Sequence, residues 1–216
     1  MMHILVIDVG GTHVKILIKG QTIHRQFSSG PTLTAKQMVA RVKKLADNWQ
    51  YDAISIGYPG HVRHNRPLTE PHNLALGWVG FDFEHAFERP VRMINDAAMQ
   101  ALGSYQGGKM LFLGFGTGLG SALIVDSVIV SMELAHLPYK KSTFEDYVGV
   151  HALARMGKKK WRRQVADVIE RLTAAFLPDE AVLGGGNVKK LKKLPPNCRK
   201  GSNADAFTGG FRLWEC

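Results

Sequence analysis

Cysteine is nearly absent: the 216 residues hold only Cys198 and Cys216. Two late cysteines give neither a disulfide framework nor the paired spacing of a zinc site, so the fold must rest on its apolar core. Long hydrophobic runs are lacking too, and none approaches the roughly 18 residues that a membrane-spanning helix needs. Met1-Met2-His3 leads into a strand without a signal-peptide pattern, so a cytoplasmic, membrane-free protein is expected. Acidic side chains are the scarce charge, 18 against 28 Lys and Arg, for a formal net charge of +10 and a pI of about 9.7. No zinc-finger or RNA-binding aromatic signature accompanies that excess, which places nucleic acid last among candidate partners.

What is present is an ordinary globular composition, 45% hydrophobic with a mean hydropathy of -0.10. The length fits one large domain or two small lobes with a substantial core. The basic residues gather late, in Lys158-Lys159-Lys160, Arg162-Arg163, Lys189-Lys190, Lys192-Lys193 and Arg199-Lys200. Two readings stand side by side: solvated helix faces, or a track for a polyanion such as a nucleotide or a polyphosphate chain.

The chain is organised around Asp8-Val9-Gly10-Gly11-Thr12, set between the apolar runs Ile4–Ile7 and Val14–Ile18. Strand, glycine turn and strand form a hairpin whose consecutive N–H groups can cradle phosphate oxygens. Asp8 ends an otherwise apolar strand and would be costly to bury unpaired, so it is expected to face a cation or an ordered polar site. A second turn, Gly114-Phe115-Gly116-Thr117-Gly118-Leu119-Gly120, repeats the pattern between Met110–Leu113 and Ala122–Val125. Two such hairpins suggest a clamp.

Between them, Thr34 is placed as the N-cap of a helix with Met38, Val39, Val42, Leu45 and Ala46 on its buried face. Ala53–Ile56 reads as a buried strand, and the long segment from His61 to Gly80, with Asn73 and Trp78, as a functional loop. Its histidines, His61, His64 and His72, are spaced too irregularly for a metal site. A strand at Val91–Ile94 ends in Asn95-Asp96, with a helix from Ala97. From Thr143 the chain reads as helical, with Trp161, Val165, Val168, Ile169, Leu172 and Phe176 in one stripe. Gly184-Gly185-Gly186-Asn187 turns a last strand, Ala181–Leu183, into a helix, and Ala204–Trp214 closes the chain as another.

Asp8-Val-Gly-Gly-Thr12 with Lys15, Asn95-Asp96-Ala97, Gly116-Thr117-Gly118-Leu-Gly120, Glu133-Leu-Ala-His136 and Gly184-Gly-Gly-Asn187 together resemble, in order, the motifs of the ROK sugar kinases. The likeness is nearest to the polyphosphate-type glucokinases. It implies an α/β, two-lobed actin-like ATPase (ribonuclease H-like) fold, each lobe a mixed sheet with flanking helices and a cleft between them. Residues 1–96 would form the first lobe, with the first phosphate hairpin and the sugar loop. Residues 97–216 would form the second, with the donor site and a last helix packing back on the first.

The resemblance further implies phosphoryl transfer to a hexose hydroxyl, glucose first, from ATP or inorganic polyphosphate with Mg²⁺. Asp96 is then the general base. Gly60, Asn73, Asn95, Asp96, Glu133, His136 and Glu145 would meet the sugar. Asp8, Gly10, Gly11, Thr12, Lys15, Gly116, Thr117, Gly118, Gly184, Gly185, Gly186 and Asn187 would meet the donor, with Asp8 on the metal. The chain departs from the family in having no cysteine between Leu137 and Asp146, so no structural zinc is expected, in Ala135 where glycine is usual before the histidine, and in Asp126-Ser127 at a turn where glycine is expected. It is also shorter than typical members. The alternative is a non-catalytic sugar-binding or regulatory member of the family. The sequence does not rank the donors or the hexoses, and it leaves oligomeric state open, a homodimer being the commonest assembly.

Overall fold

The computed structural model describes residues 2–215; Met1 and Cys216 lie outside the described residues. The chain divides into two compact units: residues 1–99 with 206–216, and residues 100–205. The division falls between Met99 and Gln100, inside a helix, a little after the 96/97 boundary expected from sequence.

In the first unit β1 (Ile4–Val9), β2 (His13–Ile18) and β3 (Arg25–Ser28) form an antiparallel meander. Helix α1 (Ala35–Leu45) follows, then β4 (Ala53–Tyr58), the two-residue strands β5 (Val62–Arg63) and β6 (Arg66–Pro67), helix α2 (Phe83–Phe87) and β7 (Val91–Asn95). Strands β4 and β7 add in parallel, giving the order β3-β2-β1-β4-β7. Strand β1 is apolar until Asp8 because both its faces are covered. Leu5, Ile7 and Val9 join Met38, Val39 and Val42 of α1, while Ile4 and Val6 join Leu17, Met99, Ala206 and Phe207. Thr34 caps α1 through a capping box with Gln37, so the helix begins where the sequence places it.

The second unit starts within α3 (Asp96–Ser104) and continues with β8 (Lys109–Phe115), β9 (Leu119–Val125) and β10 (Val128–Met132). The short pair β11 (Pro138–Tyr139) and β12 (Ser142–Thr143) precedes helices α4 (Phe144–Val148) and α5 (Val150–Phe176), then β13 (Glu180–Gly184) and β14 (Cys198–Lys200). The sheet order is β10-β9-β8-β13-β14, antiparallel through β8 and parallel beyond it. Both units thus carry one topology, a meander followed by two parallel strands. Trp161, Val165, Val168, Ile169 and Leu172 of α5 are buried beside Leu111, Leu113 and Phe115, as their helical spacing predicts.

Two expectations are corrected. The helical region from Thr143 is divided at Gly149, whose extended backbone (φ -70°, ψ 175°) ends α4, and α5 is interrupted again at Gly157, where φ is +74°. Gly184–Asn187 leads only into a 3₁₀ turn, Val188–Lys190. Trp78 lies in the loop, as expected, and is fully buried, its indole N–H donating to the Leu33 carbonyl at 3.3 Å. Asp126 and Ser127 do form the β9–β10 turn, with positive φ of 47° and 69° and no glycine.

Helix α6 (Asp205–Arg212) belongs to the first unit. Ser55 Oγ donates to the Gly210 carbonyl at 2.5 Å, Trp214 Nε1 donates to Ser55 Oγ at 2.9 Å, and Phe207 stacks on His24 at 5.7 Å. Arg92 lies 4.6 Å over the Trp214 ring. Among the described residues no helix is long and apolar enough to cross a membrane. A Cβ at Gly210 would stand 2.4 Å from Val6 Cγ1. Gly210→Ala should therefore destabilise the protein by about 1–3 kcal/mol in urea unfolding, despite the better helix propensity of alanine; an unchanged midpoint would show that the α6 seat is soft.

Candidate active site

The first glycine hairpin is tightly drawn. Gly10 N–H donates to the His13 carbonyl at 3.0 Å, and a Cβ on Gly10 would lie 2.9 Å from that oxygen. Ser29 holds the turn from the side: its N–H donates to the Thr12 carbonyl at 3.0 Å and its hydroxyl to the Gly10 carbonyl at 2.6 Å. Sequence reasoning took Ser28-Ser29-Gly30-Pro31 only as a chain break; a serine leaving a strand beside a glycine turn was the signal it passed over. Thr12 Oγ1 lies 3.3 Å from His13 Nδ1.

Asp8 and Lys15 are cross-strand partners, with Lys15 Nζ 4.0 Å from Asp8 Oδ2 and the Asp8 side chain 22% exposed. Burial pushes the Asp8 carboxyl above its usual range, against the opposing pull of Lys15 and His24. A desolvated carboxylate at the mouth of an N–H-rich turn suits a cation that arrives with phosphates. Mg²⁺ commonly takes one or two carboxylates, substrate phosphates and retained waters, so a single Asp fits it. No cluster of three or more His, Cys, Asp or Glu that could hold a metal by itself occurs among the described residues.

The long loop from His61 to Gly80 meets this hairpin inside the same unit. A Cβ on Gly11 would stand 3.1 Å from Asn73 Cβ, so Asn73 lies directly against the phosphate turn. The loop is stapled rather than loose. Glu70 accepts from the N–H groups of Trp78 (3.0 Å) and Val79 (3.2 Å), and Tyr58 Oη donates to the Thr69 carbonyl at 2.8 Å. Burial, then the nearby Glu70 charge, raises the Tyr58 phenol and keeps it a donor.

At the end of β7, Asn95 and not Asp96 caps α3. Asn95 Oδ1 accepts from Ala97 N–H at 3.0 Å and Ala98 N–H at 3.2 Å, while its Nδ2 donates to the Gly60 carbonyl at 3.2 Å. Its amide is thereby mostly committed, leaving one N–H hydrogen for a ligand. Asp96, half-buried at the first helical position, accepts from Ala97 N–H through Oδ1 at 2.8 Å. Beside it, Gly57 makes room for Met99: a Cβ there would meet Met99 Cε at 2.3 Å, whereas Asp96 Cα, at 3.5 Å, would only be in ordinary contact.

The second unit gathers the remaining candidates. Gly116 N–H donates to the Gly118 carbonyl at 3.2 Å, closing the second turn. Gly118 is glycine because a Cβ would fall 1.8 Å from Glu145 Oε2, and the same oxygen accepts from Leu119 N–H at 3.2 Å. The Thr117 carbonyl accepts from Val150 N–H at 3.0 Å. On the other side, Asn187 N–H donates to the Phe115 carbonyl at 2.9 Å and Asn187 Nδ2 to the Gly116 carbonyl at 3.0 Å. Gly185, at φ +82°, approaches the Phe115 backbone so closely that a Cβ would lie 2.6 Å away, and a Cβ on Gly184 would meet Phe112 at 2.4 Å. Gly186 faces open space. The two glycine motifs of this unit are therefore one construction.

Glu133 and His136 sit in a non-helical turn closed by Leu137 N–H to the Leu134 carbonyl at 3.2 Å, with His136 Nε2 3.9 Å from Glu133 Oε1. Glu145 N–H donates to the Ala135 carbonyl at 3.0 Å, which ties all three acidic and imidazole groups to one loop.

Topology and glycine architecture together define an actin-like ATPase fold. Residues 4–132 match the ROK family, and the chain belongs to it. Over 219 aligned residues it is 27% identical to a polyphosphate glucokinase of Mycobacterium tuberculosis strain H37Rv, covering 88% of this chain and 80% of the relative. The structure superposes on an inorganic polyphosphate/ATP-glucomannokinase from Arthrobacter sp. strain KM with a TM-score of 0.83 and 21% identity, covering 97% of each chain. It also matches a ROK glucokinase from Streptomyces griseus in complex with glucose and AMPPNP, with a TM-score of 0.79, 17% identity and 98% of each chain covered.

Because folding raises the Asp8 pKa, the native state keeps that proton to higher pH than the unfolded chain does. The wild-type protein therefore loses stability as pH rises through that window. Without divalent cation or donor, Asp8→Asn should melt higher than wild type near pH 7, the gap closing toward about pH 3. A gap that is absent or reversed near neutrality would refute a desolvated, ionised Asp8.

Proposed function

We infer that the chain is a hexose kinase of the ROK family, acting in the cytoplasm and transferring a phosphoryl group to glucose from ATP or inorganic polyphosphate, with Mg²⁺. The observation that carries this reading is the contact of Gly11 with Asn73, which sets an N–H-rich turn suited to phosphate against a stapled polar loop suited to an acceptor. The names of the relatives above support the acceptor and both donors.

Phosphoryl transfer needs positioning, charge neutralisation and a base for the attacking hydroxyl. Asp96 is the base, taking the sugar hydroxyl proton onto its carboxylate as that oxygen bonds to the terminal phosphorus and the donor's bridging P–O bond breaks, releasing ADP or a polyphosphate one unit shorter. Asn95 sets the start of α3 and the Gly60 carbonyl, and offers its remaining N–H to the sugar. Asn73, Glu133, His136 and Glu145 bind sugar hydroxyls. Lys15 and the N–H groups of Gly11 and Thr12 face the transferred phosphate, while Gly10 shapes the turn by donating its N–H to the His13 carbonyl. Gly116, Thr117, Gly118, Gly184, Gly185, Gly186 and Asn187 form the donor side. Asp8 would hold Mg²⁺, which would supply charge neutralisation at the transferred group.

Arg162 Nε donates to the Lys190 carbonyl at 2.5 Å, so the basic runs at 158–163 and 189–193 converge in the second unit. That convergence favours the polyanion-track reading of the late basic residues, and with it polyphosphate.

Glucose phosphorylation with Mg²⁺ is to be followed with ATP and with long-chain polyphosphate in parallel, at low and raised salt. Turnover on polyphosphate that falls steeply with salt assigns the basic runs to the donor; turnover on ATP alone makes them a solvated face. Asp96→Asn should lower kcat by about 10²- to 10⁴-fold while glucose still binds. Retained turnover would remove Asp96 from the role of base.

A further inference from the structure

The segment from Glu133 to Glu145 carries three of the residues given to the sugar, yet it has little secondary structure of its own. Its strands, β11 and β12, are two residues each, far below what makes a hairpin stable in water. Backbone bonds from Glu145 N–H to the Ala135 carbonyl and from Phe144 N–H to the Leu137 carbonyl close it into a loop, and its ends are tied to β9 by Leu134 N–H to Ser121 Oγ at 3.3 Å and by Leu119 N–H to the Glu145 carboxylate at 3.2 Å.

Tyr139 ties the middle of the loop to α5. It is only 4% exposed, and its hydroxyl donates to Asp167 Oδ2 and lies 3.2 Å from Gln164 Oε1, both on α5. Lys140 Nζ reaches the same Gln164 oxygen. Gln164, Asp167 and Arg171 are spaced to share one face of the helix, and Arg171 Nε donates to Asp167 Oδ2 at 3.0 Å. The Tyr139 ring stacks on Phe144 at 5.0 Å and meets Tyr147 edge-on at 5.0 Å, with the Lys140 ammonium 4.8 Å and the Arg171 guanidinium 5.7 Å from its centre. Burial, and then the bond to Asp167, raises the phenol well above its usual value, so it stays a donor at any physiological pH. Helix α5 is itself anchored by Trp161, Val165 and Val168, each fully buried. A satisfied polar group of this kind, at the one end of an aromatic cluster that faces a rigid helix, does more than fill space.

We propose that Tyr139 is a positioning residue for the sugar: by fastening its loop to Asp167 of α5, it holds Glu133, His136 and Glu145 where they meet the acceptor. The role rests on the acceptor assignment made above.

The test compares wild type with Tyr139→Phe, which removes only the hydroxyl, and Tyr139→Ala, which removes the anchor. With glucose as acceptor, Tyr139→Phe should raise the acceptor KM about 10- to 100-fold, the cost of one hydrogen bond to a charged group, and leave the donor KM unchanged. A general folding defect would lower the active fraction, and with it the apparent kcat, without raising either KM. An acceptor KM within about twofold of wild type in both variants, or an equal rise in the donor KM, overturns the proposal. Amide hydrogen exchange provides the arm that does not depend on activity. Tyr139→Ala should speed exchange at Phe144, Glu145 and Leu119, the last because its N–H is held by the Glu145 carboxylate, with α5 amides unaffected. If wild type phosphorylates no hexose, the functional reading fails and the exchange result alone decides the anchor: no acceleration, or acceleration spread equally through α5, overturns it.

Discussion

The side-chain amide of Asn95 is the interaction on which the first unit's geometry turns. One oxygen takes the N–H groups of Ala97 and Ala98 and so fixes where α3 begins; one nitrogen takes the Gly60 carbonyl and so fixes where the acceptor loop leaves β4. Because β4 and β7 are adjacent parallel strands with Tyr58 opposite Asn95, both fixings happen at the same sheet edge. Parallel strands deliver their carboxyl ends side by side, and a polar residue there can join the next loop to the next helix. Asp96 inherits its place from that arrangement.

The same device recurs wherever the chain is irregular. Glu70 gathers the N–H groups of Trp78 and Val79, Ser29 holds two carbonyls of the first turn, Glu145 takes the N–H of Leu119, and Asn187 bridges Phe115 and Gly116. In each, a side chain replaces the partner that a longer strand or helix would have given the backbone. The glycines are the counterpart. Gly57, Gly118 and Gly184 are bare because the space a Cβ needs is taken by Met99, Glu145 and Phe112. Short loops around a site can be rigid in this way without metal or disulfide, which suits a chain so poor in cysteine.

What could be read from sequence was local. The capping box at Thr34 and Gln37, the apolar stripe of α5, the two glycine hairpins and the strand into Asn95 depend on residues within a few positions of one another, so spacing suffices to find them. What escaped was long-range and polar. Nothing periodic marks Glu70 as the partner of residues at 78 and 79, or Tyr139 as the partner of Asp167. Trp78 is loop, as its polar and glycine-rich neighbours suggest, but they hide its burial: its ring meets Tyr58 at 5.7 Å and Phe83 at 6.2 Å in the core. The break at Gly149 was hidden because the flanking helices continue one apolar pattern, and only the extended backbone of that glycine separates them.

The seat of α6 sets an order of events in the cell. The first unit is assembled from both ends of the chain, whereas the second is continuous. During synthesis the face of β1 bearing Ile4 and Val6 emerges early, but Ala206 and Phe207, which cover it, follow only after the whole second unit. At ribosomal rates of roughly 5–20 residues per second, those hundred or so residues leave that apolar face bare for about 5–20 s. The nascent chain thus presents its second unit ready to fold before its first unit can close, and a hydrophobic strand surface waits in the interval for a chaperone or for α6.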